Sequence, residues 1–572
     1  MTIWEYSPPP SELAKKFHKQ LRTSRVVAEL LARRGIESAE EARLFLDPRL
    51  SEIVDPFHIP NLKDAAKRIS QAIDNRQRIV ICGDYDVDGV TSTALLVAIL
   101  RKFENYPSFI VPLRLEEGYG LTQKAAERAL EEGPAPDLFI ALDCGTNSVN
   151  EAKFITSSGC DLIIVDHHQS KADLPQETLL VNPHVFNNGD ASAMTLCTVG
   201  LVFKLAHGLL KLRRDKEDQR AFDITLRSYL DLVSMGTLAD LVPLRKENRT
   251  FAKIGLQELA KTKRQGLRCL MQVSGINASH GVKPVDISFK IGPRINASGR
   301  LADASVAVEL ILSEDPSYSM ETSLKLDSFN RERQDIEKEM TDEAIAQIDA
   351  TQADQCGLVV LGENWHPGVV GIVASRVSKA YNRPSIVLGK EGDMAKGSGR
   401  SIDGINLVEV LSGFADHLDS WGGHPMAVGI SMPVDKVDEF ADYFDQAVRD
   451  FIATHELNKI LDIHSWICLE EIDTDFMSDL AKLEPFGQEN PEPLFGTKGV
   501  VIKKRPVVFK DHHFKFSLRD NQGRCLNGVA WKMAERIPKI NTEIDILYRL
   551  VWNSFANRKV LQLELVDWRS AR

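Results

Sequence analysis

Three short apolar runs in the first third of the chain each end in side chains that bind hard metal ions. Ile79-Val80-Ile81-Cys82 runs through Gly83 into Asp84-Tyr85-Asp86-Val87-Asp88-Gly89, with carboxylates at alternate positions. Leu138-Phe139-Ile140-Ala141-Leu142 ends in Asp143, and Leu162-Ile163-Ile164-Val165 ends in Asp166-His167-His168. Chance rarely delivers oxygen and imidazole ligands after three such runs. Asp84-x-Asp86-x-Asp88-Gly89 also opens like a calcium-binding EF-hand loop, but that loop needs Glu at its twelfth position and Leu95 stands there. An ordinary turn and helix cap before Thr91-Ser92-Thr93-Ala94-Leu95-Leu96 accounts for one Asp and Gly89, not for three carboxylates.

The elements that must position these residues are strands. β-Branched runs without polar alternation fit the centre of a parallel sheet, covered on both faces, and ligands of such sheets bind outside the carboxyl ends of the strands. Between about Arg78 and Val181 such runs (79–81, 109–113, 138–142, 162–165 and 179–181) alternate with helical segments, which predicts an α/β, doubly wound parallel sheet. Upstream, a helix near Val26 to Arg34 is stopped by Gly35, and Ser38-x-x-Glu41 reads as a capping box. A mainly helical region follows from Thr198 to about Leu312.

With 572 residues the chain can build three or four cores. No apolar run approaches the roughly 18 to 20 residues of a membrane span, and Met1 to Tyr6 lacks a signal-peptide pattern, so a cytoplasmic protein with no membrane association is expected. The eight cysteines show no Cys-x-x-Cys spacing, and Cys82 and Cys144 read as small buried thiols. The net charge of −11 is unevenly spread: residues 496–572 hold 16 Lys and Arg against 7 Asp and Glu, a local +9. A basic module on an acidic chain is the footprint a polyanion requires.

Asp84-x-Asp86, Asp143, Asp166-His167-His168 and Gly236-Thr237-Leu238-Ala239-Asp240 resemble, in that order, the four motifs of the DHH phosphoesterase superfamily. Within it the chain is most similar to the single-stranded-DNA-specific exonucleases. The resemblance implies that Asp84, Asp86, Asp143, His167, His168 and Asp240 are the catalytic metal ligands, with Asp86 or Asp143 bridging two ions. Asp88 and Asp166 would support them, and His168 is either a ligand or an orienting donor. Mixed carboxylate and imidazole ligation suits Mn²⁺, with Mg²⁺ as a weaker alternative. Two such ions together meet the needs of phosphodiester hydrolysis. One departure concerns Val80, where the pyrophosphatase and oligoribonuclease branches carry His four residues before the first Asp.

Five parts are expected: a helical segment (1–50), a DHH catalytic domain (51–315), a linker helix (316–351), a second α/β, DHH-associated domain (352–455) and a C-terminal OB-fold barrel (456–572). In the DHH domain, Gly292-Pro293-Arg294-Ile295-Asn296-Ala297-Ser298-Gly299-Arg300 reads as a loop in which Arg294, Asn296, Ser298 and Arg300 clamp phosphate. In the long helix, Arg331 with Asp335 and Arg333 with Glu337 make i,i+4 pairs. The glycine-rich stretches around His366-Pro367-Gly368, Ser398 and Arg400, and Gly422-Gly423-His424 resemble substrate-binding motifs. In the last domain some five strands are expected, with Lys503, Lys504, Arg505 and Lys510 interleaved with Phe509, Phe514, Phe516, Trp531 and Trp552 as a single-strand platform.

The function so implied is 5′→3′ exonucleolytic hydrolysis of single-stranded DNA to 5′-mononucleotides in DNA repair and recombination. A single-stranded-DNA-binding protein and a RecQ-type helicase would be partners of a monomer. Rival readings are an oligoribonuclease or cyclic-dinucleotide phosphodiesterase of the same superfamily, and a catalytically inactive single-strand-binding scaffold.

Overall fold

The computed structural model describes residues 2–114, 116–131, 133–170, 173–186, 193–455, 458–555 and 558–571. The expected start of the last domain, residue 456, lies outside them. Five parallel strands form the first sheet, in the order Ser108–Ile110, Ile79–Gly83, Leu138–Leu142, Asp161–Val165, Leu179–Val181. Every residue of the Ile79–Gly83 and Leu138–Leu142 strands is buried, because helices cover both faces. The strand order reverses direction between these two strands, so the crevice of a doubly wound sheet opens at the ends that deliver Asp84 and Asp143.

The long helix runs from Pro316 to Thr351, capped by Asp315. Arg333 pairs with Glu337 as expected, whereas Arg331 reaches back to Asp327 at 2.7 Å rather than forward to Asp335. The helix leads into a five-stranded mixed sheet in the order Ser420–His424, Ala427–Pro433, Met394–Arg400, Ser385–Glu391, Leu358–Glu363, in which the last two strands pair in parallel. The C-terminal sheet has seven strands rather than five, dominated by the long hairpin Glu543–Phe555 and Arg558–Ser570.

The N-terminal helices pack into this last domain. Phe17, Val27, Leu30 and Leu31 share one apolar core with Phe476, Phe495, Phe514 and Leu563, and Thr2–Glu5 adds a parallel strand to Lys459–Asp462. Among the described residues no helix is long and apolar enough to cross a membrane.

One expected loop is a helix. Gly292–Leu301 is helical, following a π-helical turn at Ile287–Ile291. Pro293 stands at the junction where the π-helical turn passes into the α-helix, a break in the regular hydrogen-bond pattern that suits a residue without an N–H. The small residues that looked like loop formers let the helix approach its neighbours: a Cβ at Gly299 would lie 2.3 Å from the Tyr85 ring.

Candidate metal centre and substrate cleft

The sheet delivers its acidic side chains with little freedom. Asp84, Asp143 and Asp166 extend three strands by one residue each, their N–H groups donating to the carbonyls of Leu142, Val165 and Val181. Asp143 takes φ +65°, a left-handed conformation costly for a residue with a Cβ, which turns its carboxylate inward. Asp86 caps the Val87–Arg101 helix by accepting from the N–H groups of Asp88 and Gly89. A Cβ at Gly89 would meet the Asp84 carbonyl oxygen at 2.3 Å, so glycine is required where the helix starts against the strand end.

Three sets of side chains offer ligand atoms within 4.8 Å of one another: Asp84, Asp86 and Asp143; Asp143, His167 and His168; and Asp88, His167 and Asp240. Asp143 belongs to two of the sets, the position a bridging carboxylate would take. His167 Nε2 lies 3.5 Å from Asp143 and 3.6 Å from Asp240. Burial and the neighbouring Asp86 raise Asp84 to about 7, burial and Asp88 raise Asp240 to about 8, and burial with Asp88, Asp86 and Asp84 pushes Asp143 well up. Burial lowers His167 to about 4, which leaves its imidazole neutral, as a ligand must be. Carboxylates crowded at this density are stable as anions when a cation lies among them. Asp84 Oδ1, buried with no hydrogen-bond partner, is one lone-pair site such an ion would satisfy. The donor set therefore fits a divalent ion.

Asp88, of the third set, and Asp166 hold this arrangement in place. Asp88 accepts from the N–H groups of Thr198 and Val199 at the start of the Thr198–Asp215 helix, at 2.7 and 2.8 Å. Gly236 makes room for it, since a Cβ there would lie 2.6 Å from Asp88 Oδ1. Asp166 accepts from the N–H groups of His167 and His168 and from His168 Nδ1 at 2.7 Å. Burial opposes its ionisation, but these bonds and the His168 charge win and keep it below the usual range. The same pair raises His168 to about 9.

Facing the metal side, Arg300 donates to the Gly368 carbonyl of the second domain at 2.6 Å. With Ala239, Ser288, Asn296, Arg333 and Ile372 it lines a pocket of about 170 Å³ beside Asp240. Asn296 Oδ1 is buried without a partner. Arg294 does not join them as a free clamp: its guanidinium is bound to Asp327 at 2.8 Å and to the Lys290 carbonyl. Ser298 is a correction, being wholly buried with its hydroxyl on the Ile295 carbonyl, because it falls on the packed face of the helix.

Across the cleft, Ser398–Gly429–Gly422 and Arg400–Ala427–His424 form two rungs of the second sheet, on one face. Arg400 donates to Ser398 Oγ at 2.6 Å and packs where a Cβ of Gly371 would lie 3.2 Å away, at the start of the Val370–Tyr381 helix. Nothing lies within 4 Å of a Cβ at Gly422, and His424 is exposed, so this shelf is open to a backbone or phosphate.

Arg114, Tyr85 and Tyr119 escaped the sequence reading. Arg114 donates to the Tyr85 hydroxyl at 3.0 Å, lies 5.9 Å from the Tyr119 ring centroid and contributes positive charge felt at Asp84 and Arg300. Its signal was the same as that of the aspartates, a polar residue just past a strand end.

In the C-terminal domain Lys503 and Lys504 line a groove of about 350 Å³ with Lys498 and Arg519. Lys503, Lys504, Arg505 and Lys510 are exposed, and no carboxylate pairs with them among the described residues. Trp531, half exposed, meets Phe509 and His513 edge-on. Phe514 is a second correction: it is wholly buried in the core shared with the N-terminal helices, since inward and outward positions alternate along its strand.

Family models match three segments: the DHH family N-terminal domain at residues 78–237, the DHHA1 domain at 354–450 and the RecJ OB domain at 463–567. The single-stranded-DNA-specific exonuclease RecJ of Bacillus subtilis is 36% identical over 569 residues, covering 99% of this chain and 70% of that protein. The Haemophilus influenzae RecJ is 32% identical, covering 94% of each chain. The crystal structure of Thermus thermophilus RecJ in complex with Mn²⁺ superposes with a TM-score of 0.84 at 26% identity, covering 100% of this chain and 80% of that one. Its Mg²⁺ complex gives 0.78. With a parallel sheet that gathers the four motifs, a glycine-rich shelf and an OB domain in this order, the chain belongs to the RecJ family of DHH phosphoesterases.

Proposed function

We propose that the chain is a metal-dependent exonuclease that hydrolyses single-stranded DNA in the 5′→3′ direction to 5′-mononucleotides, in DNA repair and recombination. The observation that carries this is the three overlapping ligand sets facing an arginine-lined cleft. Asp84, Asp86, Asp143, His167 and Asp240 would hold Mn²⁺ or Mg²⁺, with His168 as a further ligand or an orienting donor. The ions, when bound, supply charge neutralisation at the phosphate and an acidified water.

The chain's own residues do the rest. Thr198 Oγ1 donates to Asp143 at 2.9 Å and fixes which of its oxygens faces the centre. Asp166 orients His168, and Asp88 orders the helix starts behind the site. Arg300 and Arg114 on the metal side and Arg400 across the cleft would hold phosphate oxygens. The reading extends to a single-strand-binding protein and a RecQ-type helicase as partners of a monomeric, cytoplasmic enzyme.

The test is hydrolysis of single-stranded DNA labelled at one end or the other, with Mn²⁺, beside blunt duplex and RNA of the same sequence. Mononucleotide release from the 5′ end of the single strand is expected. Loss of the 3′ label first, or equal loss from duplex, would overturn the reading.

A further inference from the structure

The π-helical turn Ile287–Ile291 carries an aromatic ring that packing does not explain. Phe289 is 76% exposed, although the chain buries most of its large apolar side chains. Val285, four residues earlier and so on the same flank, is 51% exposed. The turn is fixed close to the metal centre: Ser288 Oγ donates to the Leu238 carbonyl at 3.3 Å, two residues before Asp240, and Ser288 lines the pocket shared by Ala239 and Arg300. Leu241, next to Asp240, is itself 65% exposed at φ +55°. In the other direction Val285 and Pro284 line a groove of about 500 Å³ with Val551 and Trp552 of the C-terminal hairpin, where Trp552 is 40% exposed. π-Helical turns are rare and recur at functional sites.

We infer that Val285 and Phe289 form a base-stacking ridge. It would receive the nucleobases of a single strand whose terminal phosphodiester lies at the metal centre, and pass them to Trp552. The inference rests on the exonuclease reading, because the occupant is the substrate of that site. Two considerations select a nucleic-acid strand as the occupant. The ridge adjoins the catalytic pocket at Ser288 and the groove of the C-terminal domain at Val285. An aromatic face also accepts every base alike, as an enzyme that consumes a strand of any sequence requires.

The experiment measures KM and kcat with the full chain and Mn²⁺ on short single strands, each bearing one abasic residue at a successive position. In the unaltered protein an abasic residue at one or two neighbouring positions is expected to raise KM roughly tenfold. Phe289→Ala should raise KM of the intact strand by a similar factor, with kcat within about twofold, and at those positions the abasic penalty should disappear. Phe289→Trp should restore it. Because the ring stands in solvent, the substitution removes no core packing. An unchanged KM in Phe289→Ala, or undiminished abasic penalties, would overturn the ridge while leaving the exonuclease reading intact. Failure of the unaltered protein to degrade any single strand would overturn both.

Discussion

The guanidinium carbon of Arg249 lies 3.7 Å from the ring centroid of Phe45, with its N–H groups donating to the carbonyls of Phe45, Lys482, Leu483 and Glu484. Three stretches of chain far apart in sequence meet on this one side chain, which is 1% exposed. Arg34 does the same nearby, bonding Asn490, Pro491 and Leu30. Burial lowers Arg249 to about 9, yet among the described residues no carboxylate pairs with it; main-chain carbonyls and a ring face take that role.

Arg249→Ala should therefore separate the C-terminal domain from the catalytic one. Four carbonyls lose their donor, and leaving even part of them unpaired costs on the order of 3 kcal/mol or more. Lys cannot span the same fork, so Arg249→Lys should recover little. Limited proteolysis and thermal melting check this: rapid cleavage near residues 482–490 is expected, and a melting profile equal to that of the unaltered protein would count against it.

The metal centre predicts an opposite pair of stability changes. Asp143 is buried among like charges, so Asp143→Asn should melt at or above the unaltered protein in chelator at pH ~8. It should also lose hydrolysis by several orders of magnitude and the stabilisation that Mn²⁺ gives. Melting with and without Mn²⁺, beside a nuclease assay, reads both. Full activity in this variant would remove Asp143 from the ligand set.

Metal uptake should release protons. Asp84 titrates at about 7 and Asp240 at about 8, far above the 3.8 of a free Asp, so these two groups hold more protons in the metal-free native state than in the unfolded chain between about pH 4 and about pH 8. The stability that they contribute falls as pH rises through that window. Mn²⁺ binds the ionised forms, so its affinity must rise over the upper part of the window, by up to about tenfold per pH unit for each proton displaced. Calorimetry in buffers of different ionisation enthalpy counts those protons, and an affinity flat from about pH 6 to about pH 8 would contradict the assignment.

Asp166→Asn separates orientation from ligation. Its carboxylate accepts from three backbone N–H groups, those of Thr146, His167 and His168, and from the His168 ring, so the variant keeps the fold but loosens His168 and lowers its raised pKa. Mn²⁺ affinity should fall about 10- to 100-fold with activity recoverable at high Mn²⁺. Complete loss at saturating metal would place Asp166 among the reacting groups.

Residues readable from sequence were those whose position follows from local rules. An apolar run ending in Asp specifies both a buried strand and the side of the sheet on which the acid emerges, which is why Asp84, Asp143 and Asp166 line one edge. Side chains whose fate depends on a distant partner were not readable. Arg294 looks the same in sequence whether it meets phosphate or Asp327, and Phe514 looks the same whether its strand turns it outward or into a core completed by Phe17 and Leu30. That core joins residues more than 450 positions apart, so composition of either end alone gives no sign of it.

The shared core also decides how the basic C-terminal segment can be tested. Deleting everything after about residue 453 would expose Val27, Leu30 and Leu31 of the N-terminal helices, so loss of binding in such a truncation would report unfolding as readily as lost contacts. Charge substitution avoids this, because Lys503, Lys504 and Arg505 are exposed and pair with no carboxylate among the described residues. Each cation that neutralises a phosphate contributes about −0.7 to the slope of log affinity against log salt for a single strand. Replacing the three together by Ala should make that slope shallower by roughly 2 if all three track the backbone, and weaken binding most at low salt. Cleavage of oligonucleotides too short to reach the groove of Lys498, Lys503 and Lys504 should keep its kcat, since the metal ligands lie in a different domain. A salt slope equal to that of the unaltered protein would mean that this barrel packs on the catalytic core without holding the strand.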